Sequence, residues 1–240
     1  MLSPFIQKLD SRFRLSEADK AVLERASARM YRLGVRNDLV REGDKPDEIY
    51  VIKSGFACRY KILPNGSRSI VAFLVPGDLC DPHGSILGEM DHCIGTLSAC
   101  EVVTIPREII LDLRANHPTL NHALQWSMLV DEAILREWLV GMGRRPAVQH
   151  VAHLLCELLM RLQMVGCADA NSYELPLTQA DIGDTAGLSN VHVNRVLKEL
   201  RGKELIVFEG KSLSIPDVGA LKAFADFNPN YLHLNPKPYE

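Results

Sequence analysis

Residues 175–201 read LPLTQADIGDTAGLSNVHVNRVLKELR, two short helical patterns parted by Ala186-Gly187-Leu188-Ser189. In the first, Thr178 stands as an N-cap with Asp181 three residues on, an acidic form of the capping box, and Ile182 and Ala186 give an i, i+4 apolar face. Gly187 supplies a turn and Ser189 caps the second helix. Val193, Val196, Leu197 and Leu200 recur there at helical spacing and bury against the first helix. Asn190, His192, Asn194 and Arg195 stay on the opposite side, so the stretch reads as a helix-turn-helix with a polar outer face, and it points to DNA binding. An ordinary two-helix hairpin would show the same apolar spacing.

Downstream, Leu205-Ile206-Val207-Phe208, Gly210 and Leu213-Ser214-Ile215 read as the hairpin of a winged variant. Asp217 begins a last helix to about Phe227, and the tail NPNYLHLNPKPYE shows no strong pattern. Upstream, a polar loop from Gly166 to Ser172 follows an amphipathic helix over Val148 to Val165. Before it, Gly141, Gly143 and Pro146 surround Arg144-Arg145 and are expected to interrupt helix propagation as a hinge. Thr119 to Met142 reads as one long helix, with apolar residues at Ala123, Val130, Ile134 and Trp138, and it carries both tryptophans, Trp126 and Trp138. A stripe this long exceeds what one small roll covers, so pairing with a second subunit is expected, against the alternative of a helix packed across its own barrel.

Nearer the N-terminus, turn signals recur at Gly43-Asp44-Lys45-Pro46, Ser54-Gly55, Pro64-Asn65-Gly66 and Pro76-Gly77-Asp78, between apolar runs at 49–52, 56–62 and 70–75. Further strands fit Gly95 to Leu97 and Glu101 to Ile105, and Pro106-Arg107-Glu108 opens a helix. This spacing predicts an antiparallel roll with Asn65-Gly66 as its clearest hairpin tip. Residues 1–34 read as helical, a small lid helix pair, with Ser16 as an N-cap and Leu15, Ala18, Val22, Leu23 and Ala26 as an apolar stripe. The fold class is therefore α+β, and the expected division is a sensor roll at 1–118, a dimerisation helix and hinge at 119–145, and a winged helix-turn-helix domain at 146–240.

With 240 residues, 47% of them hydrophobic, the chain buries a substantial core. No apolar run approaches the ~20 residues of a membrane span, and the N-terminus lacks a signal-peptide pattern, so no membrane contact and a cytoplasmic location are expected. The six cysteines, Cys58, Cys80, Cys93, Cys100, Cys156 and Cys167, show no CxxC spacing and read as free thiols. A net charge of -3 excludes a protein that coats nucleic acid through a broad basic surface, so any DNA contact must be local. No Ser/His/Asp set, paired catalytic carboxylates or phosphate loop stands out, and an enzyme is not expected.

Four stretches, EGDKPDEIYVIKSGFA, PGDLCD, ACEVVTIP and LTQADIGDTAGLSNVHVNRVLKEL, occur in this order, and together they resemble the Crp/Fnr family of bacterial transcription regulators over nearly the whole chain. The resemblance implies a cyclic-nucleotide-binding-like roll, a homodimer, a two-fold-symmetric site on double-stranded DNA and RNA polymerase as a further partner. It carries base contact onto Asn190, Val191, Asn194 and Arg195. Arg195 stands where the family keeps an arginine, whose guanidinium donates to the O6 and N7 edge of guanine. Val191 departs from the family's glutamate and is suited instead to a thymine methyl. Asn190 and Asn194 suit adenine or phosphate, and His192 suits the backbone; Thr178, Gln179, Ser189 and Lys198 complete the expected DNA-binding set.

The signal site departs further from the pattern. Cyclic-nucleotide binders of the family hold the ribose with a Gly-Glu pair and the phosphate with an arginine. Here LCDPHGSILGEMDHCIGTLSA contains Gly88-Glu89, but no arginine lies between Arg68 and Arg107, which disfavours cyclic AMP. An iron-sulfur cluster is disfavoured too, because the family's N-terminal cysteine cluster is missing and the first cysteine is Cys58. Cys80, His83, Gly88, Glu89 and Thr96 are the candidate effector pocket. Cys80 and His83, with His92 and Cys93, leave haem or metal open against the plainer reading of buried cysteines as apolar filler. A competing function is a ligand-, redox- or haem-sensing module that works through protein contacts.

Overall fold

Ser3 Oγ accepts from the Ile6 amide and Pro4 occupies the first turn, which starts α1 (Pro4–Phe13). The computed structural model describes residues 3–27, 29–81 and 87–234. The capping box at Ser16 and Asp19 opens α2 (Glu17–Ala26) as expected. Helix does not continue to residue 34, however, because Arg29–Leu33 forms strand β1 and pairs antiparallel with β8 (Cys100–Pro106), Met30 opposite Val103 and Leu33 opposite Cys100. Sheet pairing overrides a local helical reading of this short stretch.

The roll continues through β2 (Asp38–Val40), β3 (Glu48–Ser54), β4 (Ala57–Ile62), β5 (Arg68–Leu74), β6 (Leu79–Cys80) and β7 (Cys93–Thr96). Its two antiparallel sheets run in the orders β1-β8-β3-β6 and β2-β7-β4-β5. Val40, Ile52, Ala57, Leu74, Ile94 and Val102 fill the space between them. The opposite face of the first sheet is covered by α1, α2, α3 (Arg107–Asn116) and the start of α4 (Pro118–Arg144) through Ile6, Leu9, Leu23, Leu113 and Leu120.

Two faces of α4 do different work. Ala123, Val130, Ile134 and Trp138 are buried within this chain, so the apolar positions singled out from the sequence serve its own core. A separate stripe, Leu129, Leu135, Leu139, Val140 and Met142, is exposed. Gly141 and Gly143 also differ from expectation, since α4 runs through both and stops only at Arg144. Gly141 is required by packing: a Cβ there would stand 2.2 Å from His150 Nδ1 on the next helix. The break lies at Arg145, whose backbone is extended, and Pro146, which starts α5 (Ala147–Met164).

After α5 come β9 (Ser172–Glu174), α6 (Gln179–Ala186), α7 (Asn190–Gly202), β10 (Val207–Glu209), β11 (Ser212–Ser214), α8 (Val218–Phe224) and a 3-10 turn, Pro229–Leu232. The polar loop thus ends in a strand, because Tyr173 pairs with Leu213 to add a third member to the wing. The last helix stops at Phe224, and the tail folds back to bury Tyr231 and Leu232.

A buried ionic network joins these parts. Arg161 on α5 donates to Asp78 (2.6 Å), to the Phe73 carbonyl (2.9 Å) and to Glu157 (3.1 Å). Lys8 on α1 pairs with the other Asp78 oxygen at 2.8 Å, while Trp138 Nε1 and the Tyr231 hydroxyl donate to Glu157. Burial alone would raise the Asp78 carboxyl, but Lys8 and Arg161 hold it down at about 2. Burial raises Glu157 despite its three donors. Truncating one member strands the others in a low-dielectric interior. Arg161→Leu is expected to cost ~3–5 kcal/mol in denaturant unfolding, well above the cost of losing an exposed pair such as Arg136–Glu132.

Candidate nucleic-acid interface

The helix-turn-helix forms where the sequence places it. Thr178 Oγ1 accepts from the Asp181 amide, and the Asp181 carboxylate accepts from the Thr178 amide and hydroxyl, closing the capping box of α6. Gly187 takes the left-handed conformation at φ +66°, and Ser189 Oγ accepts from the His192 amide to cap α7. Gly183 is the turn's second requirement, because a Cβ there would meet the Leu188 carbonyl oxygen at 2.6 Å. A glycine inside a helical pattern is the sequence signal that points to such a close approach.

Val193, Val196, Leu197 and Leu200 are buried against α6 and α5, which fixes the opposite side of α7 toward solvent. Asn190, Arg195 and Lys198 are exposed, Val191 is 73% exposed, and His192 and Asn194 are half-buried. Thr178, Gln179 and Ser189 are exposed at the two helix N-termini. All nine expected contacts therefore lie on α7 or at the helix starts beside it. The sequence reading missed Arg201, which lies over the Phe208 ring at 5.1 Å and ties α7 to the wing.

The candidate effector residues are not gathered in the same way. Cys80 is buried between the sheets, and burial raises its thiol well above the ordinary range. Thr96 is buried as well, donating to the Gly34 carbonyl and accepting from the Asn37 amide. Gly88 and Glu89 are exposed, and His83 lies outside the described residues. His92 is held between Asp81 (3.0 Å) and Asp91 (2.7 Å), and Cys93 Sγ accepts from the Glu42 amide. Among the described residues no group of three His, Cys, Asp or Glu side chains could hold a metal ion.

Where the roll meets α4, Arg59 pairs with Asp81 (2.6 Å) and Asp131 (3.1 Å). The guanidinium is already shared by two carboxylates, so an entering phosphate would meet matched negative charge. Two cavities, about 590 Å³ and about 440 Å³, lie elsewhere, flanking α2; the larger is lined by Phe5, Ile6, Met30 and Val51 and the smaller by Val22, Ile109 and Leu113.

At the α4–α5 elbow, Arg145 pairs with Glu137, whose carboxylate lies 3.4 Å from His153 Nε2. His153 is packed between Phe227 and Tyr231. Burial, with Arg145 and His150 adding repulsion, lowers His153 to about 3, and burial with Arg145 lowers His150 as well.

Comparison with known proteins accounts for both halves of the fold. A Crp-like helix-turn-helix domain matches residues 149–224, and a cyclic nucleotide-binding domain matches residues 36–117. The chain is 28% identical over 213 residues to regulatory protein HlyX of Actinobacillus pleuropneumoniae, covering 88% of this chain and 87% of that protein. It is 27% identical over 211 residues to the fumarate and nitrate reduction regulatory protein of Vibrio cholerae, covering 88% and 84%. The structure of FixK2 from Bradyrhizobium japonicum superimposes with a TM-score of 0.72 at 22% identity, over 82% of this chain and 96% of that one, and shares the fold.

The two elbow histidines bind protons less tightly folded than unfolded. The stability they leave intact above their ordinary pKa of 6.5 is therefore lost as pH falls from there toward 3. His153→Phe keeps an aromatic ring against Phe227 and Tyr231 and removes one titration. The expected outcome is a shallower fall of Tm between about pH 6.5 and about pH 4.5 than in the parent protein, measured by calorimetry.

Proposed function

Because the chain belongs to the Crp/Fnr family of transcription regulators, which are not enzymes, we propose that it reads a two-fold-symmetric DNA site as a homodimer, with α7 in the major groove. The observation that carries this reading is the outward face of α7, where Arg195, Asn190 and Val191 project from a helix seated by the Ser189 cap and the Gly183 approach. Arg195 donates to a guanine, Val191 touches a thymine methyl, and Thr178, Gln179, Ser189 and Lys198 position the domain on phosphates. Asn190 and Asn194 pair with adenine or phosphate in this reading, and His192 reaches the backbone.

The exposed stripe of α4 supports the dimer. Leu135, Leu139 and Met142 follow one another at spacings of four and three, the pattern of a coiled-coil seam. Pairing there brings two copies of α7 to successive turns of the duplex, roughly 34 Å apart. The domain division follows: a sensor roll over 1–118, a dimerisation helix over 119–145 and a reading domain over 146–240, working in the cytoplasm beside RNA polymerase. Cyclic AMP is disfavoured as its effector, since Arg59 is shared between Asp81 and Asp131 and no arginine lies between Arg68 and Arg107. No helix among the described residues is long and apolar enough to cross a membrane.

A binding-site selection from random DNA tests base reading. The parent protein is expected to select one guanine per half-site, and Arg195→Ala to lose that preference while keeping its native mass. An unchanged preference counts against the assignment. Steep loss of binding with salt separates DNA docking from a domain that meets protein partners. In a second experiment, Leu139→Glu is expected to yield monomers in native mass spectrometry and to weaken DNA binding by at least about ten-fold, because each half-site is then bound alone.

A further inference from the structure

Strand β5 and helix α6 pack directly against each other, so the roll touches the reading domain through elements other than those of the α4–α5 elbow. At this contact Arg68, the first residue of β5, reaches across with both arms of its guanidinium. Nη2 donates to Asp181 Oδ1 at 2.5 Å and Nε donates to Asp184 Oδ2 at 2.7 Å. Asp181 is nearly buried, and the Arg68 and Asp184 side chains are 27% and 31% exposed, so the pair is partly shielded from solvent. The fork is bidentate across two carboxylates one helical turn apart, a geometry lysine cannot supply.

Asp181 is engaged twice. Its Oδ2 closes the capping box with Thr178, and its Oδ1 receives Arg68. The residue that sets the N-terminus of α6 is therefore the one the roll holds. Arg68 also places a positive charge beside two carboxylates on the domain proposed to face phosphates, and so offsets the repulsion they would exert. Asn190, Val191, Arg195 and Lys198 on α7 are exposed while the contact is made, so the contact does not mask that part of the DNA face.

We propose that Arg68 is a positioning residue that clasps the helix-turn-helix to the roll by holding α6 through Asp181 and Asp184. The proposal rests on the DNA-binding reading for its consequence but not for its geometry. A change that moves the β4–β5 hairpin is expected to move α6 with it, and α7 to follow, because Gly183 packs closely against the turn at Leu188 and against Val193 of α7.

The test uses the full chain and two readouts: affinity for the DNA site selected by the parent protein, and amide hydrogen exchange of residues 179–186. Arg68→Ala is expected to weaken DNA binding by about ten-fold and to speed exchange in α6, with base preference unchanged. Asp184→Ala, which leaves the capping box intact, shifts both readouts in the same direction by less. Arg68→Lys restores only part of the loss, and the exchanged pair Arg68→Asp with Asp184→Arg recovers affinity relative to Arg68→Asp alone. Unchanged exchange in both Arg68→Ala and Asp184→Ala overturns the clasp, and so does an altered base preference in Arg68→Ala, which would make Arg68 a DNA contact. If the parent protein selects no DNA, the DNA-binding reading fails while the exchange data still decide whether Arg68 holds α6.

Discussion

Arg161 and Asp78 meet where the first helix, the roll, the long helix and the reading domain converge, and the mutual placement of these parts depends on that buried pair. Their charges are offset by Lys8 and Glu157, and Glu157 is in turn held by Trp138 and Tyr231. Such a network contributes little net stability over an apolar alternative, because desolvation of each charge cancels much of the attraction. Its consequence is for arrangement: a docking of α5 that separates these groups leaves a charge unpaired in the interior.

The elbow and the Arg68 contact hold the same domain through different elements. At the elbow, Gly141 lets His150 close on α4 and Arg145 reaches back to Glu137. At the Arg68 contact β5 meets α6. What looks from composition like a flexible joint, with two glycines and a proline near paired arginines, is a packed corner. The reason is that a glycine inside a helix reports either freedom or proximity, and only the neighbouring helix shows which.

Much of this architecture was legible in the chain. The capping boxes at Ser16 and Thr178 form with the expected hydrogen bonds, because a cap is a local interaction among residues three apart. The roll was legible from its turns, and the face of α7 from its apolar spacing. Three things were not. Strand β1 takes its structure from β8, some seventy residues away in sequence. The apolar positions of α4 divide into an inner and an outer face that one periodicity does not separate. Arg161 and Asp78 carry no local signature that they pair, being 83 residues apart. The effector residues were chosen by sequence neighbourhood, and the fold distributes Cys80, Glu89 and Thr96 between the interior and the surface.

The charge distribution around α7 has a kinetic consequence. Each chain carries a formal charge of -3, and of the cations near the reading face Arg201 is engaged by Phe208, and Lys203 by Glu199 and Phe224, while Arg195 and Lys198 are exposed. Sliding along random duplex needs a broad cationic footprint to hold the protein near the phosphates between specific sites. A chain of this net charge offers the duplex little attraction away from the recognition helix. Search for the proposed operator is therefore expected to rely on repeated encounters from solution more than on long one-dimensional scans.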